Sequence, residues 1–150
     1  MKLVSRIAIL VGFSAVTSIS QAACSFDVEV GDYLRFSETE MTVEKSCDSV
    51  TVNLKHTGKL AAKIMGHNWV LTKDTDVKPV ASKGMGAGLA ADYVPQGDNR
   101  VIAYSSVIGG GETTSVTFST ADLVVGGNYI YFCSFPGHSY SMRGTLKVSI

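Results

Sequence analysis

The sequence predicts an all-β fold, an antiparallel Greek-key sandwich or barrel of about eight short strands with one short helical insertion around residues 74–88. Three observations point there. Short runs alternate apolar and polar residues with period two, as half-buried strands do. Turn residues, among them Gly109-Gly110-Gly111, Gly126-Gly127 and Pro136-Gly137, separate those runs at close spacing. Between Thr72 and Asp92 the alternation stops, and Pro79, Gly84, Gly86 and Gly88 mark that stretch as an insertion.

The start of the 150-residue chain stands apart from the fold. Lys2 and Arg6 form a positive head, Ile7 to Val16 an apolar run, and Ser20-Gln21-Ala22 a small-residue cleavage site, so residues 1–22 read as a secretory signal peptide. The apolar run is too short to span a bilayer, and no other stretch nears the length a span needs. A single exported domain over residues 23–150 is expected, with no membrane span. A lipidated Cys24 is the alternative, but Gln21 occupies a position where an aliphatic residue is expected.

Phe26, Val28 and Val30 alternate with Asp27 and Glu29 in a first strand ending at Gly31-Asp32. A second is expected over Tyr33 to Ser37, with Leu34 and Phe36 on one face, and a third over Met41 to Lys45. The clearest alternation is Val50 to His56, which sets Val50, Val52, Leu54 and His56 on one side. A further strand begins around Gly66 to Leu71, with Trp69 in the core. The insertion should hold a short helix opened by Asp76 and Pro79 and closed by Gly84. After a turn over Pro95 to Asn99 come strands at Val101 to Ser105, Thr113 to Phe118, Tyr129 to Cys133 and Gly144 to Ile150.

Removing Lys2 and Arg6 takes Lys+Arg from 13 to 11 against 13 Asp+Glu, a formal charge of −2. With no basic patch to neutralise phosphates, nucleic acid is not an expected partner. Three cysteines in an exported chain leave one over. Cys24 and Cys47, 23 positions apart and each beside a strand-like run, are the expected disulfide, which leaves Cys133 as the lone thiol. A free thiol in an oxidising compartment is a liability unless it is buried or occupied.

Cys133 is followed by His138 five residues on and Met142 four beyond that. A thiolate, an imidazole and a thioether are soft or borderline donors, suited to copper and partly to zinc. Of the three histidines, His67 precedes a strand and is followed by Asn68, a candidate hydrogen-bond partner for the ligand loop. Each residue alone is more simply a core Met, a satisfied His or a packed Cys. Together they form a His2Cys set with a weak thioether, the arrangement of blue-copper electron-transfer sites. Met is a poor zinc ligand, so one copper ion is the expected cofactor.

The stretches MGHNWV (Met65 to Val70), GMGAGL (Gly84 to Leu89), RVIAYSSVIGGGE (Arg100 to Glu112), SVTF (Ser115 to Phe118) and YFCSFPGHSYSMRGTL (Tyr131 to Leu146) resemble the cupredoxin family across essentially the whole mature chain. The resemblance implies an eight-stranded Greek-key barrel with a type 1 copper at one end and a periplasmic electron carrier rather than an enzyme. It makes His67, Cys133 and His138 the strong ligands, Met142 the long axial ligand and the Gly66 carbonyl oxygen a second distant contact. Asn68 would tie the His67 segment to the ligand loop, and amides near Ser134 and Phe135 would bond the sulfur. His138 would lie under an apolar patch of Leu34, Met65, Met85, Phe135, Pro136 and Gly137, docking transiently with redox proteins such as c-type cytochromes and copper or haem reductases or oxidases. Core packing is the alternative account for these residues, and for Phe135 the two weigh nearly evenly. Charge steering is expected to contribute little, and the protein to be a monomer.

For His56 a redox-linked titration and a plain barrel hydrogen bond both remain open. Two other classes are weighed: a copper storage, delivery or scavenging protein, which would need an exposed site rich in Met or His, and a copper enzyme, which would need a second histidine-bearing metal site.

Overall fold

The computed structural model describes residues 24–150, so the expected signal peptide lies outside the described residues. Eight strands follow the alternation read from the sequence: β1 Ser25–Val30, β2 Glu40–Glu44, β3 Ser49–His56, β4 Val70–Lys73, β5 Ala103–Tyr104, β6 Thr113–Ser119, β7 Tyr129–Phe132 and β8 Arg143–Ser149. They form two sheets, ordered β1-β3-β6 and β2-β8-β7-β4-β5. The inward residues of β3, Val50, Val52, Leu54 and His56, are buried. They meet Trp69, Leu71, Tyr131 and Leu146 in the interior, and Trp69 stacks on Phe118 and Tyr131.

The sheets are not purely antiparallel. β1 pairs with β3, and β2 with β8, in parallel. Period-two alternation reports which face is buried and carries no information about strand direction, so this could not be read from the pattern.

The strand expected over Tyr33 to Ser37 does not form. The chain makes one bridge, Gly31 to Tyr33, and Ser37 donates its N–H to the Glu29 carbonyl at 2.8 Å. Phe36 is buried while Leu34 is 41 % exposed, so the two do not share a face. The expected strand at Val101 to Ser105 contracts to two residues.

The insertion holds a longer helix than expected. After a 3-10 turn over Asp74–Asp76, α2 runs Val77–Ala87, straight through Gly84, and stops at Gly88, whose φ of 75° is left-handed. Gly84 serves packing instead: a Cβ there would overlap the Tyr93 carbonyl, so glycine lets the helix sit against that backbone. Pro79 stands in the first turn, where a missing N–H costs no helical bond. A four-residue helix, α1 (Ala62–Met65), precedes the His67 segment.

Cys24 and Cys47 are disulfide-bonded, with Cα atoms 5.7 Å apart. The bridge joins the start of β1 to the turn between β2 and β3, at residues whose backbone also closes onto Thr51 and Glu44.

Candidate metal centre

Two segments converge at one end of the sheets. His67 lies between α1 and β4, fixed by paired backbone bonds with Ile108: its N–H donates to the Ile108 carbonyl at 3.0 Å and its carbonyl accepts the Ile108 N–H at 2.9 Å. Cys133 directly follows β7. Its loop reverses at Pro136-Gly137, where Gly137 has φ 84° and the His138 N–H donates to the Phe135 carbonyl, the bond of a type II turn with glycine at its third position. Met142 closes the loop by accepting the Cys133 N–H at 3.0 Å. That bond holds the neck of the loop and faces His138 back toward Cys133.

The donor atoms of His67, Cys133 and His138 all lie within 4.8 Å of one another. The sulfur is 3.7 Å from His67 Nδ1 and 3.5 Å from His138 Nδ1. For a first-row ion such as zinc, bonds of about 2.3 Å to sulfur and about 2.0 Å to nitrogen put adjacent donors about 3.5 to 3.7 Å apart in tetrahedral or trigonal geometry. The sulfur and each imidazole nitrogen are therefore spaced to share one such ion. Their softness selects copper over harder cations.

The far nitrogen of His67 sets its tautomer. Nε2 lies 2.7 Å from the Gly31 carbonyl, an acceptor only, so Nε2 carries the hydrogen and Nδ1 turns a lone pair toward the sulfur. Burial pushes the His67 pKa down to about 4 and also lowers that of His138, keeping both rings neutral and able to ligate. Burial raises the Cys133 thiol to about 12, opposed by the backbone N–H groups of Asn68 and Phe135 directed at the sulfur. A thiol so placed ionises only with a cation at hand, which the three-donor geometry supplies a place for. The amide of Ser134 does not serve the sulfur as expected; it donates to Asn68 Oδ1 at 2.9 Å.

The Gly66 carbonyl oxygen is 4.0 Å from the sulfur, and the Met142 side chain is fully buried beside the loop. Asn68, fully buried, joins the two ligand segments: Oδ1 takes the Ser134 N–H, and Nδ2 donates to the Ser134 hydroxyl and to the Asp92 carbonyl, both at 2.8 Å. His56 stacks on the His67 ring with centroids 5.1 Å apart and uses both nitrogens, accepting the Gly58 N–H at Nδ1 and donating from Nε2 to the Met65 carbonyl.

Of the four candidate side-chain ligands only His138 reaches the surface, with 6 % exposed against none for the others. Pro136, Gly137 and Met85 are exposed beside it, and Met65 is partly so. Phe135 keeps 9 %, packed on His138 at 4.6 Å and against Tyr93 at 5.3 Å, so it is mostly core. A groove of about 580 Å³ runs between α2 and the ligand loop, with Met85 on one wall and Phe135, Pro136 and Gly137 on the other. Ile64, 57 % exposed on α1, adds apolar surface next to Met65 that the sequence reading omitted. The contributions of Gly31 and Asp92 were missed as well; Gly31 acts through its backbone carbonyl, which leaves no residue-type signature, and Asp92 through its carbonyl and a carboxylate whose partner is a distant backbone N–H.

Two β-sheets with a buried Cys–His–His cluster at one end define a small mononuclear copper protein of the cupredoxin type. Residues 22–149 match the family of copper binding proteins described as plastocyanin/azurin. The chain is 54 % identical over 136 residues to the azurin of Achromobacter denitrificans, covering 91 % of each. It is 56 % identical over 127 residues to azurin-2 of Alcaligenes xylosoxydans xylosoxydans, covering 85 % of this chain and 98 % of that one. Among solved structures, an azurin (Az-iso2) from the obligate methylotroph Methylomonas sp. strain J shares the fold with a TM-score of 0.83 and 46 % identity, over 86 % of this chain and all of that one. The chain belongs to the plastocyanin/azurin family of copper-binding proteins.

Proposed function

We propose that this blue copper electron-transfer protein works in the periplasm as a soluble monomer. It passes single electrons between redox proteins such as c-type cytochromes and copper or haem reductases or oxidases, and is not itself an enzyme. One observation carries the reading: a buried sulfur faces two imidazole Nδ1 atoms at 3.5 and 3.7 Å. Bound copper supplies a one-electron Cu(I)/Cu(II) couple. His67, Cys133 and His138 would hold it strongly, with the Met142 thioether and the Gly66 carbonyl as weaker donors.

The chain's own residues suit that role. Short backbone bonds and the Asn68 network hold both ligand segments, so they move little between oxidation states. The N–H groups of Asn68 and Phe135 stabilise negative charge on the Cys133 sulfur. The buried ligands, with the edge of His138 as the outlet, exclude bulk water, and the apolar surface of Leu34, Met65, Met85, Pro136 and Gly137, with Phe135 beneath, suits brief docking.

The test is a visible spectrum of the copper-loaded protein, followed by reduction with a c-type cytochrome. An intense blue colour that bleaches on reduction is expected. A colourless Cu(II) adduct would overturn the copper assignment, and colour without electron exchange would move the function to copper storage or delivery.

A further inference from the structure

Asp92 and Tyr93 are the two non-glycine residues with left-handed backbone among the described residues, at φ 54° and 52°. Adjacent left-handed residues are costly, least so for Asp and more so for a bulky Tyr, and such corners persist where the surroundings over-determine them. Here they do. The Asp92 and Tyr93 N–H groups donate to the Leu89 and Gly88 carbonyls at 2.9 and 3.0 Å, and α2 leans on the Tyr93 carbonyl at Gly84.

The corner reaches both ligand segments. The Asp92 carbonyl accepts Asn68 Nδ2 at 2.8 Å and faces the Ser134 hydroxyl at 3.3 Å, which fixes the orientation of the Asn68 carboxamide and, through its Oδ1, the peptide after Cys133. The Asp92 carboxylate accepts the Val107 N–H at 2.7 Å. Val107 precedes Ile108, whose backbone pairs on both sides with His67. One residue thus ties the His67 side to the Cys133 side, and the adjoining Tyr93 ring packs on Phe135, which packs on His138.

We propose that Asp92 is a positioning residue for the copper site: its carbonyl orients Asn68 against the Cys133 loop while its carboxylate anchors the Val107–Ile108 segment that bridges to His67. This rests on the copper reading above. Asp92→Asn retains both an acceptor oxygen and tolerance of the left-handed corner. Asp92→Gly retains the corner without strain and removes only the carboxylate anchor. Asp92→Ala removes the anchor and adds strain.

The experiment compares these variants for copper affinity by chelator competition, for the position and intensity of the visible band, and, in the copper-free protein, for amide hydrogen exchange at Ser134. Asp98→Asn serves as a control, since it weakens the Asp98–Arg100 clamp elsewhere in the loop after α2 by removing the charge and one acceptor. Expected are wild-type values for D92N and D98N. For D92G, copper binding about tenfold or more weaker is expected, the usual effect of losing a residue that orients ligands, with a shifted band and faster Ser134 exchange. D92G with wild-type affinity, band and exchange overturns the proposal, as does D92N behaving like D92G. If D92A fails to fold, D92G decides. Failure of the copper reading shows separately, as a colourless wild-type protein, and Ser134 exchange still tests the anchor.

Discussion

Asn68 Oδ1 accepts the Ser134 N–H at 2.9 Å, so the residue after His67 is bonded to the residue after Cys133. With the Asn68 Nδ2 bond to the Ser134 hydroxyl and the β4–β7 pairing of Val70 with Phe132, this contact joins segments 66 positions apart in the chain and helps fix the spacing of His67 and Cys133. Replacing Asn68 with Leu would leave the Ser134 N–H and the Asp92 carbonyl without that partner inside the protein. An unfolding free energy lower by about 1–3 kcal/mol per stranded group is expected in a chemical denaturation curve, together with an altered visible band. An unchanged band would mean that the Cys133 loop holds itself.

Cys133→Ser should abolish the blue colour while leaving the fold intact, because a hydroxyl replaces a buried thiol with slightly less volume and cannot supply the sulfur-to-copper charge transfer. Circular dichroism would report the fold and the visible spectrum the site. Residual intense colour would place the chromophore elsewhere.

Copper-free protein should lose stability as the solution is acidified. The folded-state pKa of His67 lies at about 4 against an ordinary 6.5, with burial the main cause, so between those values the unfolded chain binds a proton that the folded chain refuses. Stability is therefore full above about pH 6.5, falls as pH drops toward 4 and levels off below it. The loss from this group is on the order of 3 kcal/mol, and His138, shifted in the same direction, adds to it. Copper loading should suppress the fall, since a ligand bound only by the native state stabilises it. Thermal melts across this pH range, with and without copper, check both statements.

Replacing Cys24 and Cys47 together with Ala should lower stability by about 3 kcal/mol, the loop-entropy value for a closure of this length. The visible spectrum should not change, because the bridge joins the start of β1 to the turn after β2 and makes no bond to the ligand segments. A shifted spectrum would show that the two are coupled through the core.

Met85→Glu places a charge on the wall of the groove beside Pro136, where the side chain is 54 % exposed. Electron exchange with a c-type cytochrome should slow by about tenfold, the factor that a docking loss of about 1.4 kcal/mol gives. Colour and stability should stay as they are. An unchanged exchange rate in stopped flow would remove this wall from the docking surface.

Much of this was legible in the chain. Alternation at Val50 to His56 reports burial directly, because side chains on a strand take opposite faces. The odd cysteine, the Pro-Gly reversal and the spacing to His138 identify a soft-donor loop because metal chemistry constrains residue type. Where backbone alone does the work, nothing showed. The parallel pairing of β1 with β3, the failure of Tyr33 to Ser37 to extend, the run of α2 through Gly84 and the Gly31 carbonyl on His67 all depend on which segments become neighbours.

The sequence by itself determined the donors, the all-β pattern and the cysteine left free to bind, since each follows from residue chemistry and local periodicity. Only the tertiary structure decided that His67, more than sixty residues upstream, faces Cys133 with Nδ1. It also decided that Ser134 serves Asn68 rather than the sulfur, and that Asp92 spans the two ligand segments. Those outcomes are set by long-range packing, in which a ring, a carboxamide or a carboxylate meets a backbone carbonyl or N–H that every residue carries, so no local pattern announces the partners.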